Sequence, residues 1–204
     1  MPLNPVLCGP FGGGRFMSRL FPNINDTKHP SMVFVDGENF AIRYQSLLGA
    51  VAPLSRINHE KDTFVWANGL NSACLDAGVR RKHYYTSVQG DDTKINATAD
   101  RLKDLGIEAP RVFKRTKNRG SKRVDISLST EMLMHAARRN YQTAVLIAGD
   151  DDYIPLVEAV QAEGCRVLLW FVSDGLSPAL RRAVDHYTCL DQFLLDPNLT
   201  GTWR

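Results

Sequence analysis

An α/β fold, with a parallel sheet covered by helices on both faces, is what this 204-residue sequence predicts. Three observations predict it. From Ser31 onward short apolar runs alternate with amphipathic stretches, the rhythm of strand–helix units. The runs are apolar throughout rather than alternating, as expected where both faces of a strand are covered. Neither an internal repeat nor a composition shift marks a second domain after Ser31.

The elements follow in order. Residues 1–30 hold five of the ten prolines and the triplet Gly12-Gly13-Gly14, without helical or strand period, and read as a flexible leader. Met32 to Val35 is the first buried strand. Phe40, Tyr44, Leu47 and Leu48 then share one helical face, and Gly49 stops it. A loop is expected over Ala50 to Lys61, and a second helix from Trp66, Leu70, Ala73 and Ala77. Lys82 to Val88 reads as a strand. A third helix carries Ile95, Ala99 and Leu102 behind an Asp92 cap and ends at Gly106. Val112 and Phe113 mark a short strand, placed at an edge because charge flanks it. The helix from about Val124 to Asn140 is expected to bury Ile126, Leu133, Met134 and Ala137. Ala144 to Ala148 is the strongest strand. Tyr153, Leu156, Val157 and Val160 form the stripe of the next helix, in which Pro155 is tolerated in the first turn. Val167 to Val172 is another strand, and Leu176 to Val184 a last helix. The domain is thus set at 31–192, with a C-terminal tail at 193–204.

Composition narrows the function. A 44% hydrophobic and 23% charged chain is globular, and no run reaches the roughly 18 apolar residues of a spanning helix. Without the apolar stretch of a secretory signal, a soluble, cytoplasmic protein with no membrane partner is expected. Cys8, Cys74, Cys165 and Cys189 stand far apart, which indicates neither a zinc site nor a disulfide framework. The net charge of +3 is mild, but its distribution is not: Arg111 to Arg123 contains seven basic residues and no acid, whereas three aspartates follow Gly149. That pairing suits a phosphodiester held by its backbone near a metal.

Strand ends are where an open parallel sheet binds ligands. Asp36 follows the first strand in VFVDGENF, and Asp150, Asp151 and Asp152 follow the strand in AVLIAGDDDYIPLVEAV. If those strands are neighbours, their carboxylates converge and repel, and a divalent cation relieves the repulsion. Oxygen ligands without His or Cys select a hard ion, Mg²⁺ or Mn²⁺. Asn39 would point to the same place and hold a bound water. Asp125, after Lys122-Arg123, would complete an acidic pocket beside cationic phosphate clamps. Asp151 is read as a helix cap, Asp174 as a turn residue with membership of the acidic pocket as its second reading, Trp66, Tyr84 and Tyr85 as core, and His83, His135 and His186 as structural.

The segments VFVDGENF, KRVDISLSTEML and LIAGDDDYIPLVEAV resemble, in order and spacing, the NYN domain of the PIN-like nuclease group, including its LabA-like bacterial members. The later DGLSPALRRAVDHYTCL is similar to the segment with which such domains end. The resemblance implies a three-layer, Rossmann-like (PIN-like) fold of about five parallel strands in order 3-2-1-4-5. It also implies a Mg²⁺- or Mn²⁺-dependent ribonuclease site in which Asp36, Asp125, Asp150 and Asp152 match the acidic positions and Asn39 the motif asparagine. Ala148 stands where a serine is common and Tyr153 where phenylalanine is frequent, and neither departure removes a carboxylate. The expected function is an endoribonuclease acting on single-stranded or loop RNA, with Lys114, Arg115, Lys117, Arg119, Lys122 and Arg123 holding flanking phosphates. The rival readings are a non-catalytic RNA-binding module and, last, a haloacid-dehalogenase-like phosphatase, which needs an aspartate where Glu38 stands. A homodimer and a protein partner bound through the leader stay open at this stage.

Overall fold

The structure, a computed structural model, describes residues 30–76, 78–115 and 120–197. The sequence's leader up to residue 29, and Lys117 and Arg119 of the basic run, lie outside the described residues, as does the C-terminal tail from residue 198.

The chain runs β1 (Ser31–Asp36), α1 (Gly37–Leu48), β2 (Ile57–Glu60), β3 (Phe64–Ala67), α2 (Asn68–Asp76), β4 (Val79–Val88), α3 (Asp92–Asp104), β5 (Ala109–Lys114), α4 (Gly120–Ala137), β6 (Thr143–Ile147), a 3₁₀ turn (Asp151–Tyr153), α5 (Ile154–Ala162), β7 (Arg166–Phe171), α6 (Pro178–Ala183), β8 (His186–Cys189) and α7 (Asp191–Leu195). Six strands pair in parallel in the order β5-β4-β1-β6-β7-β8. The fold is therefore the expected α/β sheet with the expected central order, enlarged by a sixth strand. β8 escapes a reading by apolar runs because its four residues include only one that is fully buried, Thr188.

Period-two geometry splits the sheet's side chains between two cores. Val33, Val35 and Tyr84 face α1, α2, α3 and α7, whereas Met32, Phe34 and Tyr85 face α4, α5 and α6. α7 closes the first core with Phe193 and Leu194, and Arg56 holds its end by donating to the Phe193 and Asp196 carbonyls. Trp66, Tyr84 and Tyr85 are buried, as expected. Cys74 and Cys165 are buried too.

Several local expectations are corrected. Residues 50–61 are not all loop: Ile57–Glu60 pairs antiparallel with Phe64–Ala67, and Trp66 lies on β3 rather than in the helix that follows. Four consecutive buried residues carry no alternation, so strand and helix onset looked alike there. Asp91, not Asp92, caps α3, accepting from the Lys94 backbone N–H at 3.0 Å. In α4 the buried face is Val124, Leu128, Met132 and Ala136; Ile126 is 65% exposed, and Leu133 and Met134 are exposed as well. This helix carries two apolar stripes, and only the sheet's position chose between them.

Candidate active site

β1 sits where the strand order turns: the chain proceeds to β4 and β5 on one side, and to β6, β7 and β8 on the other. The crevice at the carboxyl ends of β1 and β6 is thus the topological switch point, the ligand site of open parallel sheets. Register puts Val35 beside Ile147, so Asp36 and the Gly149-Asp150 turn leave the sheet as neighbours. Gly149 has no room for a side chain, since a Cβ there would stand 2.3 Å from the Phe171 ring.

Asp36 plays two roles at once. It caps α1, with Oδ1 accepting from the Asn39 N–H at 3.0 Å, and Oδ2 accepts from the Tyr153 hydroxyl at 2.8 Å. That hydroxyl also lies 3.2 Å from Asp125 Oδ1, so one phenol joins the carboxylates of β1 and α4. Asn39 points to the same place, as expected, and there it joins two elements. Its Nδ2 donates to Asp150 Oδ2 at 2.7 Å and its Oδ1 accepts from the Gly149 N–H at 3.0 Å, which clamps the β6 turn to α1. Asp36, Asn39, Asp125 and Asp150 are thereby brought together. Asp152 is exposed on the 3₁₀ turn and acts on Asp125 and Asp150 through its charge. Asp151 caps nothing: Asp150 occupies the cap position of the turn, and no side-chain cap bond forms.

The electrostatics follow from burial. Asp36 is pushed up to about 7, chiefly because burial penalises its charge; the Asn39 and Tyr153 hydrogen bonds pull it down and the charges of Asp125 and Asp150 push it further up. Asp125 and Asp150 are also raised, by burial first. Tyr153 moderates the rise at Asp125, and Arg43 moderates it at Asp150. Among the described residues no three His, Cys, Asp or Glu side chains are gathered tightly enough to hold one ion between them. Hydroxyl and amide groups link the carboxylates instead.

A second group of contacts flanks the crevice toward β4. Glu38 accepts from the Ser87 hydroxyl at 2.6 Å and lies 3.2 Å from Arg115 Nη2. Arg115 is tied down there, its Nε donating to Ser87 Oγ and its Nη2 to the Ser87 and Asp62 carbonyls. It braces the crevice wall, whereas Lys114, Lys122 and Arg123 are exposed beside it, with the Arg123 guanidinium 5.9 Å over the Phe113 ring. Tyr153 and Glu38 were noted from sequence as departures from motifs, and Ser87 not at all; none was given a role in the site. A tyrosine in an otherwise aliphatic helix stripe is the one available signal, because its hydroxyl needs a partner when buried.

The family model of the NYN domain matches residues 30–191. The chain belongs to the NYN domain family. The match is to the NYN family as a whole. A crystallised protein of unknown function from Vibrio parahaemolyticus has a similar fold, with a TM-score of 0.60 at 19% identity, over 83% of this chain and 98% of that one. No curated protein matches. NYN domains are RNA-related and generally ribonucleases, so this one is of hydrolase type at that coarse level. Among the described residues no helix is long and apolar enough to cross a membrane.

Proposed function

We propose that this NYN domain is a metal-dependent endoribonuclease acting on single-stranded or loop RNA. One observation carries the reading: carboxylates from β1, α4 and the β6 turn are linked through Tyr153 and Asn39 at the switch point, and all three have raised pKa values, by burial first and then by neighbouring acids, an arrangement that costs free energy unless a cation arrives. All the donors are carboxylate oxygens, which suits Mg²⁺ or Mn²⁺, and Mg²⁺ is commonly held by only one or two carboxylates with water completing its shell. One or two of Asp36, Asp125, Asp150 and Asp152 would hold the ion directly, and the rest would act on it through water and charge. When bound, it supplies charge neutralisation at the scissile phosphate and a more acidic water. The chain's own groups do the rest. Tyr153 and the Asn39 N–H orient Asp36, the Asn39 side chain orients Asp150, and Lys114, Lys122 and Arg123 hold flanking phosphates.

The test is incubation of the purified full chain with labelled structured and unstructured RNAs in Mn²⁺, Mg²⁺ or EDTA. Shortening of RNA with the metals and none in EDTA is expected, and Asp150→Asn should cost about 100-fold or more in rate while RNA affinity is kept. Cleavage that survives EDTA or the substitution overturns the proposal. The binding-only alternative has in its favour that no three carboxylates close on one point among the described residues. It expects RNA to be bound equally with and without Mn²⁺ and never cut.

A further inference from the structure

Arg43 lies on α1 seven residues beyond Asp36 and four beyond Asn39, on the helix face that carries Asn39. Side chains on a helix lean toward its N-terminus, so this long side chain lies back toward the crevice. Its guanidinium rests on the backbone of Gly175, in the turn after β7. A Cβ at Gly175 would stand 2.2 Å from Arg43 Nε and 2.4 Å from Cζ, and the residue's φ of +69° also favours glycine. The Gly175 carbonyl in turn packs against Gly149, the residue before Asp150, at 3.0 Å from where its Cβ would be. Arg43 is therefore at the β7 side of the carboxylate crevice, and its charge reaches Asp150.

What distinguishes this arginine is its lack of hydrogen-bonded partners among the described residues. Nε is buried without a hydrogen bond, and among the described residues the guanidinium makes no ion pair. Arg56, Arg111 and Arg115 all have hydrogen-bonded partners. A buried N–H left unmade is costly, and the guanidinium fork matches an oxyanion offering two oxygens. Asp150 is near, but the hydrogen bond to its Oδ2 comes from Asn39. Asp174 Oδ2, one residue before Gly175, is likewise buried without a partner.

We infer that Arg43 is a substrate-binding residue, donating to a non-bridging phosphate oxygen of the chain that lies over Asp36 and Asp150, with Gly175 kept bare so that the guanidinium can lie there. The inference rests on the ribonuclease reading for its substrate, and on the crevice geometry for the phosphate itself.

The experiment compares wild-type protein, Arg43→Met, Arg43→Lys and Asp174→Asn in EDTA. A fluorescent single-stranded RNA is titrated at several salt concentrations, and thermal unfolding is followed with and without inorganic phosphate. Arg43→Met should weaken RNA binding about fivefold or more and lower the slope of log affinity against log salt by about 0.7, the loss of one phosphate contact to a single strand. Arg43→Lys should keep that slope, and phosphate should raise the unfolding temperature of wild type but not of Arg43→Met. Unchanged RNA affinity and slope in a folded Arg43→Met overturns the inference. So does a loss of unfolding temperature shared by Arg43→Met and Asp174→Asn with RNA binding intact, which would make the arginine a structural partner of Asp174. If wild type binds no RNA, yet phosphate stabilises it only through Arg43, the phosphate site stands and the ribonuclease reading fails.

Discussion

Asp125 and Glu131 are carboxylates six residues apart on α4, each touching the hydroxyl of a buried tyrosine, and their surroundings drive them in opposite directions. At Glu131 burial alone would raise the pKa, but Arg111 donating at 2.9 Å and Tyr85 at 2.8 Å outweigh it and hold the group below its usual value. His83, 3.2 Å away, is pushed down to about 4 by burial first, then by His135, so it is neutral at pH 7 and donates from Nδ1. Asp125 has Tyr153, and otherwise mainly other acids: Asp150, Asp152 and Glu38 all push it up. One end of the helix is thus balanced internally and braces α4 against the sheet. The other faces the crevice with its charge uncompensated, which is the mark of a site that waits for something positive.

The largest expected effect comes from removing charge at the unbalanced end. Asp36→Asn should lower RNA cleavage by about 100-fold or more and yet make the metal-free protein more stable at neutral pH. The sign follows from the shift. Asp36 binds its proton more tightly when folded, with a pKa near 7 against 3.8, so its favourable contribution is complete below about pH 4 and is lost as pH rises through 7. That loss is worth about 4 kcal/mol. Denaturant unfolding in EDTA from pH 4 to 8 should show this decline in wild type and a clearly smaller one, left by Asp125 and Asp150, in Asp36→Asn; parallel curves would refute the comparison.

At the balanced end the opposite outcome is expected. Glu131→Gln should destabilise the fold by about 1–3 kcal/mol, because the hydroxyl of the buried Tyr85 loses its charged acceptor, while cleavage per folded molecule stays unchanged. A drop in activity without a drop in stability would place Glu131 in the site after all. A smaller effect separates the two tyrosines. Tyr153→Phe should cost about 1 kcal/mol in the metal-free state and raise the Asp36 pKa further, a shift readable by NMR titration of the carboxyl carbon. An unmoved Asp36 would mean that the hydroxyl serves Asp125 instead. The smallest effect is on the rim: Lys122→Ala and Arg123→Ala should each reduce the salt slope of RNA binding by about 0.7, with little change in cutting at saturating RNA.

Much of this was legible before any coordinates. The strands that matter most, Met32 to Val35 and Ala144 to Ala148, are apolar throughout because both faces are covered, and such runs stand out in sequence. The aspartates after them stand out for the same reason, since a charge at the end of an apolar run has few places to go. The Trp66 hairpin and β8 were not legible. Their segments are four residues long, too short to display a period; β2 and β3 become strands by pairing with each other, and β8 by pairing with β7.

Residue types and spacing by themselves determined the fold class and three of the carboxylates that meet, and the motif resemblance added the central strand order. Only tertiary packing decided which stripe of α4 is buried, that Arg115 is tied to Glu38 and Ser87, that Tyr153 joins Asp36 to Asp125, and that Arg43 has no hydrogen-bonded partner among the described residues. The reason is physical. A helix with two apolar faces, or an arginine with five donors, has several local solutions of similar free energy, and the choice is made by groups that only the folded sheet brings within hydrogen-bond distance.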